Sequence, residues 1–138
     1  MQYPIEVHED DNGTYFATCR DFPELTVMGE TVEIVLNNTV ESLDVIFGMY
    51  ISDRRPLPKP SEKTEGEYLV NTSLRASLKG KLSDQLFYQK VSRAELARRL
   101  EWSQVQVDRL LSMANSSKLE SFDSAFDVLG LKLDVIIF

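Results

Sequence analysis

The chain has 138 residues, of which 43% are apolar, and this is enough for one domain or for two small domains with real cores. No apolar run approaches the ~20 residues of a membrane span, and one cysteine with one histidine excludes a disulfide framework and a Cys/His metal site. The net charge of −7 is unevenly distributed along the chain, because residues 1–72 carry a net charge of −9 and residues 73–138 a net charge of +2.

The first half of the chain begins with a predicted set of short strands. Residues 3–8 alternate apolar and polar side chains, and the Asn-Gly pair within 11–13 favours a tight hairpin turn into a second strand at 14–19. Residues 21–25 predict a turn, and residues 26–28 a short third strand. Because no charged and apolar leader precedes the first strand and the cysteine is single, we expect a cytoplasmic protein without a cofactor.

A long helix and a fourth strand complete this first unit. Thr31 is placed to cap a helix whose apolar side continues to Tyr50. Residues 53–66 contain three prolines and predict a loop, whereas residues 67–72 predict a strand that returns to the sheet. We therefore expect one domain in residues 1–73 and a second domain in residues 74–138.

The second domain is predicted to be helical. Leucines recur every four residues along its first helix face: Leu74, Leu78, Leu82 and Leu86. Residues 92–111 then predict two short amphipathic helices, with the small Ala97 where they would cross, Glu101 in the turn and Ser103 as the cap of the second helix. This order is typical of a DNA-binding helix-turn-helix, although core packing is an alternative explanation. The turn needs left-handed backbone, where a non-glycine residue costs about 1 kcal/mol.

The candidate DNA contacts lie on the second short helix and its cap, together with one arginine at the start of the preceding helix. They are Arg93, Ser103, Gln104, Val105, Gln106 and Arg109. Gln and Arg bond adenine and guanine edges in the major groove, so Gln104 and Arg109 are the leading base contacts. Val105 is placed to touch a thymine methyl group, whereas Ser103 and Arg93 are placed to bond phosphates. The basic surplus lies in the same stretch, although a solvated polar face is the alternative.

The chain ends on a predicted helix at 121–129, closed by Gly130, and a strand at 131–138. An unpaired apolar strand edge promotes aggregation, and its simplest partner is the same strand of a second copy. We therefore expect a homodimer or a dimer of dimers, whose two-fold symmetry suits a palindromic operator. The predicted dimerisation residues lie on one face of the strand and are Leu131, Leu133, Val135 and Ile137.

Several short stretches resemble one known family when they are taken together. In the first half they are residues 15–16 (YF), 20–25 (RDFPEL) and 28–31 (MGET). In the second half, residues 95–97 (ELA), 103–109, 118–122 and 128–131 resemble a helix-turn-helix of the Xre/Cro type. In the order of these stretches and in its length, the chain resembles the HicB antitoxins of bacterial HicA–HicB toxin–antitoxin systems.

This resemblance implies an α+β protein with two functions. The first domain is expected to have a partial ribonuclease-H-like β-β-β-α-β fold without nuclease activity, followed by an all-helical helix-turn-helix domain with a C-terminal β-strand. The antitoxin is expected to bind and neutralise a small, basic, mRNA-cleaving HicA-type toxin and to repress its own operon by binding operator DNA. We expect the turn formed by Asp21, Phe22, Pro23 and Glu24 to lie at the toxin contact.

Two other functions remain open from the residues alone. The first alternative is a free-standing transcription regulator whose first domain senses a small molecule. Five carboxylates resemble the metal ligands of a true ribonuclease H, but nothing in the sequence brings them together: Glu6, Asp10, Asp11, Asp21 and Glu24. We therefore predict no enzyme and no metal site, and a structural or surface role for the single histidine, His8.

Overall fold

A computed structural model describes all 138 residues and begins with a four-stranded antiparallel sheet. Its strands are β1 (Gln2–Glu9), β2 (Tyr15–Cys19), β3 (Phe22–Gly29) and β4 (Tyr68–Asn71), in the spatial order β3-β2-β1-β4. Gly13, with a φ of 78°, lies in the predicted turn between β1 and β2, and β4 pairs with β1 as expected.

The third strand begins earlier than predicted. Phe22 pairs with Cys19 directly after a tight turn, whereas residues 23–25 have no partner in β2. Only the first residue of the predicted turn at 21–25 therefore lies in a turn, and the rest is irregular strand. Burial explains the difference, because Phe22 and Leu25 are 0% and 1% exposed and hold this segment against the core.

One long helix, α1 (Val32–Ser52), packs across the inner face of the sheet. Thr31 caps it as predicted, since its hydroxyl accepts a hydrogen bond from the Ile34 amide at 3.1 Å. The rings of Tyr3, Phe22 and Phe47 pack together with centroids 4.8–6.1 Å apart. The buried residues of α1 are Val35, Thr39, Leu43, Ile46, Phe47 and Ile51.

The predicted proline-rich loop between α1 and β4 lies against the rest of the molecule. Leu57 is buried, and its amide donates to Asp84 Oδ1 at 2.8 Å. Tyr3 Oη donates to the Pro58 carbonyl, also at 2.8 Å. The loop therefore connects the sheet with the helical half of the chain.

The second half contains α2 (Leu74–Gln89), α3 (Arg93–Leu100), α4 (Gln104–Leu111) and α5 (Leu119–Val128). The leucine stripe predicted for α2 is wrong at its start: Leu82 and Leu86 are buried, but Leu74 is 74% exposed. Four residues advance by more than one turn, so a four-residue repeat drifts by about 40° per step around the helix. At the first turns the buried positions are instead Ala76, Lys79 and Gly80.

Two hydrophobic cores share α1 and α2. The first core lies between the sheet and α1, and the second lies among α2, α3, α4 and α5. Ile51 at the end of α1 belongs to the second core, whereas Ala76 of α2 belongs to the first. Each of these residues therefore packs in the core on the other side of the predicted domain boundary at 73/74. That boundary stays a prediction.

The chain ends differently from the predicted strand. Gly130, with a φ of 78°, follows α5, and the amides of Gly130 and Leu131 donate back to the carbonyls of Asp127 and Phe126, both at 2.9 Å. Residues 131–138 form no strand within a single chain. No helix in the molecule is both long and apolar enough to cross a membrane.

Candidate nucleic-acid interface

The helix α3 has its first turn secured by side chains. Ser92 Oγ accepts from the Glu95 amide at 3.0 Å. The Glu95 carboxylate accepts from Arg98 at 2.5 and 2.8 Å and from Arg99 at 3.1 Å. These hydrogen bonds lower the pKa of Glu95 to about 2, and those from Arg98 have a larger effect than the one from Arg99. Arg98 nevertheless stays at the surface, with 73% of its side chain exposed.

The turn between α3 and α4 has the backbone that the sequence requires. Glu101 has φ 58° and ψ 35°, the left-handed conformation expected there. The amides of Glu101 and Trp102 donate to the carbonyls of Arg98 and Ala97 at 3.2 and 2.9 Å. Two carbonyls at the end of α3 are thereby satisfied even though the turn has no glycine.

Ser103 caps α4 as predicted and does so through a reciprocal pair of hydrogen bonds. Its hydroxyl accepts from the Gln106 amide at 3.3 Å, and Gln106 Oε1 accepts from the Ser103 amide at 2.8 Å. The side-chain carbonyl of Gln106 is therefore already used within the helix. Only its amide NH₂ remains available as a donor to another molecule.

The exposed side of α4 gathers several of the predicted DNA contacts. Val107, Leu110 and Leu111 are buried, so the opposite side of the helix faces solvent. Gln104, Val105 and Arg109 are exposed on this side, and Val105 is 58% exposed. Asp108 lies among them and was not predicted from the sequence, although its four-residue spacing from Gln104 places it on the same side.

The structure directs Arg93 inward instead of toward solvent. Its side chain is only 15% exposed, and Nη1 lies 3.0 Å from Asp108 Oδ1. Nη2 donates to the Ile51 carbonyl, in the last turn of α1, at 3.4 Å. The predicted bond from Arg93 to a phosphate does not fit this geometry, because the guanidinium already joins α1, α3 and α4.

Lys79 was not predicted as a site residue. It is 0% exposed, and its ammonium group donates to the carbonyls of Arg109 and Leu110 and to Ser117 Oγ. Burial, together with the charge of Arg75, lowers the pKa of Lys79 to about 8. The only signal in the sequence is a lysine between two small residues, Ala76 and Gly80, on the buried side of α2.

The predicted toxin-contact residues divide into buried and exposed groups. Phe22 is 0% exposed within the first core, which leaves it no surface for a partner. Asp21 accepts hydrogen bonds from the amide and the hydroxyl of Ser61, so it anchors the proline-rich loop. Pro23 and Glu24 are exposed in the irregular part of β3 and remain available to a partner.

The carboxylates that resembled a metal site do not gather in the fold. No group of three or more His, Cys, Asp or Glu side chains is close enough together to hold a metal ion. Asp10 accepts from the Asp11 amide in the hairpin, and Asp21 is bound to Ser61. The ring of His8 stacks on Phe16 at 4.8 Å, and its Nε2 lies 3.2 Å from Thr18 Oγ1.

The predicted dimerisation residues also fall into two groups. Leu131 and Leu133 pack against the second core. Val135 and Ile137 are 67% and 90% exposed within a single chain. Residues 134–138 are all exposed and belong to no strand within a single chain.

Comparisons with known proteins identify the family. A family model described as the HicB-like antitoxin of a bacterial toxin–antitoxin system matches residues 2–81. The antitoxin HicB of Pseudomonas fluorescens (strain Pf0-1) is 32% identical over 134 residues, which cover 96% of this chain and 91% of that protein. The antitoxin HicB of Escherichia coli (strain K12) is 25% identical over 137 residues, covering 99% of each chain.

A solved structure is also similar to part of the chain. The crystal structure of the N-terminal domain of Burkholderia pseudomallei antitoxin HicB is 26% identical, with a TM-score of 0.47, and covers 54% of this chain and 100% of that chain. The chain belongs to the HicB-like antitoxin family of bacterial toxin–antitoxin systems.

Proposed function

We propose that this antitoxin binds and neutralises a HicA-type toxin in the cytoplasm and represses its own operon by binding operator DNA. Family membership supports the toxin partner. The exposed polar side of α4, whose first turn is held by a capping box, is the observation that carries the DNA-binding activity. On this proposal, residues 92–111 are a helix-turn-helix, and the β-β-β-α-β unit is a partial ribonuclease-H-like fold.

DNA recognition places the exposed side of α4 in the major groove. Arg109 donates to a guanine edge, Gln104 bonds an adenine edge, and Val105 packs on a thymine methyl group. Ser103 and Gln106 hold each other in the capping box, so their contribution is to fix the start of the helix and to offer the remaining Gln106 donors. The basic surplus of the second half attracts the phosphates.

Toxin binding is assigned to the acidic first half. Residues 1–72 carry a net charge of −9, which complements a small basic protein and accelerates the association of the two. Pro23 and Glu24 are the predicted contact residues that remain exposed. We place the toxin contact around them, whereas Asp21 and Phe22 hold the segment in position.

The terminal segment is proposed to join two copies. Residues 135–138 form an apolar run whose members are 67% to 99% exposed. Such a run is unfavourable in water, and pairing with the same segment of a second copy would bury it. The resulting two-fold symmetry matches a palindromic operator.

Two measurements on the unmodified protein test the proposal. In the first, a HicA-type toxin is expressed alone and together with the antitoxin, and we expect growth to stop and then to recover. In the second, labelled DNA from the operon promoter and scrambled DNA are titrated with the antitoxin, and we expect tighter binding to the promoter. Promoter binding without growth recovery would favour a free-standing transcription regulator. Equal binding to both DNAs would show that α4 does not recognise a DNA sequence.

A further inference from the structure

Lys79 is the one charged side chain of this protein that is fully buried, at 0% exposure. Burying an ammonium group costs several kcal/mol unless each of its donors finds an acceptor. An apolar side chain of similar length would fill the same space without this cost. A lysine at this position therefore indicates that the ammonium group itself has a role.

The ammonium group binds the end of α4 and the segment that follows it. Nζ donates to the Leu110 carbonyl at 2.8 Å, to the Arg109 carbonyl at 3.2 Å and to Ser117 Oγ at 3.1 Å. These three bonds use all three donors of the group. The two carbonyls belong to the last turn of α4, where a positive charge is favourable. The Arg109 carbonyl also accepts from the Ser112 amide at 3.3 Å.

The helix that Lys79 holds is too short to orient itself. The helix α4 has eight residues, and isolated helices shorter than about 12 residues are marginal in water. Its direction is therefore set by contacts with other elements. Its apolar side packs in the second core through Val107, Leu110 and Leu111. Arg93 bonds Asp108 on the exposed side, and Lys79 bonds the last turn. One of the two carbonyls bound by Lys79 is that of Arg109, whose side chain is the proposed guanine contact.

We propose that Lys79 is a positioning residue for base recognition, because its ammonium group fixes the last turn of α4 and with it the direction in which Arg109 points. This inference rests on the proposed DNA binding by α4. It assigns to α2 a part in operator recognition, although α2 contributes no residue to the exposed side of α4. Lys79 touches no base itself and acts only through the backbone of Arg109.

The test compares Lys79→Met with Arg75→Met in the full-length protein. Arg75 lies one turn earlier on the same helix and donates to the Met113 carbonyl and to Ser116 Oγ, but to no carbonyl of α4. Both variants lose one positive charge near the same loop, so they share any general electrostatic effect. We expect Lys79→Met to lower the preference for promoter over scrambled DNA about tenfold, the loss typical of one base contact, and Arg75→Met to leave it unchanged.

A double-mutant cycle separates positioning from a general loss of structure. Arg109→Ala should lower the promoter preference about tenfold in the unmodified background but less than about threefold in the Lys79→Met background, because the side chain is already misplaced. Gln104→Ala, at the opposite end of α4, should cost the same in both backgrounds. If Lys79→Met does not fold by circular dichroism, Ser117→Ala removes one partner of the ammonium group and should reduce the Arg109 effect in the same direction.

Each outcome decides between the two proposals. An unmodified protein without promoter preference would overturn the DNA-binding function and this inference together. A promoter preference that survives Lys79→Met, or an Arg109→Ala effect that is identical in both backgrounds, would overturn the role of Lys79 alone. If Arg75→Met causes the same loss as Lys79→Met, the effect is one of charge and the positioning role is wrong.

Discussion

Arg93 Nη1 and Asp108 Oδ1 lie 3.0 Å apart and connect the first turn of α3 with the middle of α4. The same guanidinium donates to the Ile51 carbonyl in the last turn of α1. Three helices are thus joined by one side chain that is only 15% exposed. The pair also neutralises the one carboxylate on the exposed side of α4, which would otherwise repel phosphates.

Arg93→Ala should therefore lower stability, although Arg93 was predicted to contact DNA. The change leaves Asp108 without its partner, but half of the Asp108 side chain is exposed, so solvent reduces the loss. We expect the free energy of unfolding to fall by about 1–2 kcal/mol in urea titrations. Arg98→Ala, at a side chain that is 73% exposed, should change it by less than about 0.5 kcal/mol. Equal effects of the two substitutions would show that the buried bridge does not form.

Arg109→Ala should weaken promoter binding by about 1–3 kcal/mol and relax the preference at one base position. The physical reason is the loss of a bidentate contact with a base edge. The exposed neighbour Lys118 provides the control, because Lys118→Ala should weaken binding to all sequences equally and lower the salt slope by about one unit. Titrations of promoter and scrambled DNA at several salt concentrations measure both. A uniform loss for Arg109→Ala would place that side chain on phosphate instead of a base.

Glu101→Gly should stabilise the protein by up to about 1 kcal/mol. Glu101 has a φ of 58°, which a residue with a Cβ adopts only at a cost. Gly130 provides the reciprocal test, because its φ is 78° and no atom lies within 4 Å of the position that a Cβ would occupy. Gly130→Ala should therefore destabilise by about 1 kcal/mol through the backbone alone. Thermal unfolding measures both, and opposite signs are the expected result.

Gly80→Ala and Gly48→Ala should also have opposite effects, although both glycines lie inside helices. A Cβ at Gly80 would lie 2.6 Å from Leu57 Cδ1 and 3.0 Å from the Phe47 ring, whereas at Gly48 the nearest atom is 3.5 Å away. Overpacking costs about 1–3 kcal/mol, and replacing glycine by alanine in a helix recovers about 1 kcal/mol. We expect Gly80→Ala to lose up to about 2 kcal/mol and Gly48→Ala to gain up to about 1 kcal/mol in urea titrations. A stabilised Gly80→Ala variant would contradict the close packing of α2 on α1.

The buried Lys79 should make stability depend on alkaline pH. Its pKa is about 8 in the folded protein, below the ordinary value of 10.5. Between these values the unfolded chain binds more protons than the folded chain, so the Lys79 contribution to the free energy of unfolding increases with pH. The difference in stability between the unmodified protein and Lys79→Met should therefore shift in favour of the unmodified protein as pH rises from 8 to 10. A difference that is constant over this range would mean that burial does not lower the pKa of Lys79.

Local signals in the sequence predicted the elements well. Asn-Gly in the first hairpin, Thr31 before α1 and Ser103 before α4 each act through atoms a few residues away, and all three have the predicted role. The left-handed turn at Glu101 follows from the same kind of short-range reasoning. These features do not depend on how the rest of the chain folds.

Contacts between distant residues were not predictable in the same way. Whether Phe22 lies in a turn or in a core depends on Tyr3 and Phe47, which are far along the chain. The sequence shows that Arg93 and Lys79 are basic, but their partners, Ile51 and the end of α4, become neighbours only after folding. The sequence therefore predicts a phosphate contact for Arg93 and no role for Lys79, whereas in the structure both side chains donate to backbone carbonyls of neighbouring helices.

Because α1 and α2 contribute to both cores, the positions at which segments of this protein can be exchanged with those of a relative are restricted. A cut at residue 73 would remove Ala76 from the first core and Ile51 from the second. In a chimera joined there, the new α2 would need a glycine at position 80 to avoid a clash with Leu57 and Phe47. It would also need a lysine at position 79 to donate to the carbonyls at the end of α4. A junction after residue 89 would keep α1 and α2 together, and the new α3, α4 and α5 would then have to fit Ile51, Leu82 and Leu86 in the second core.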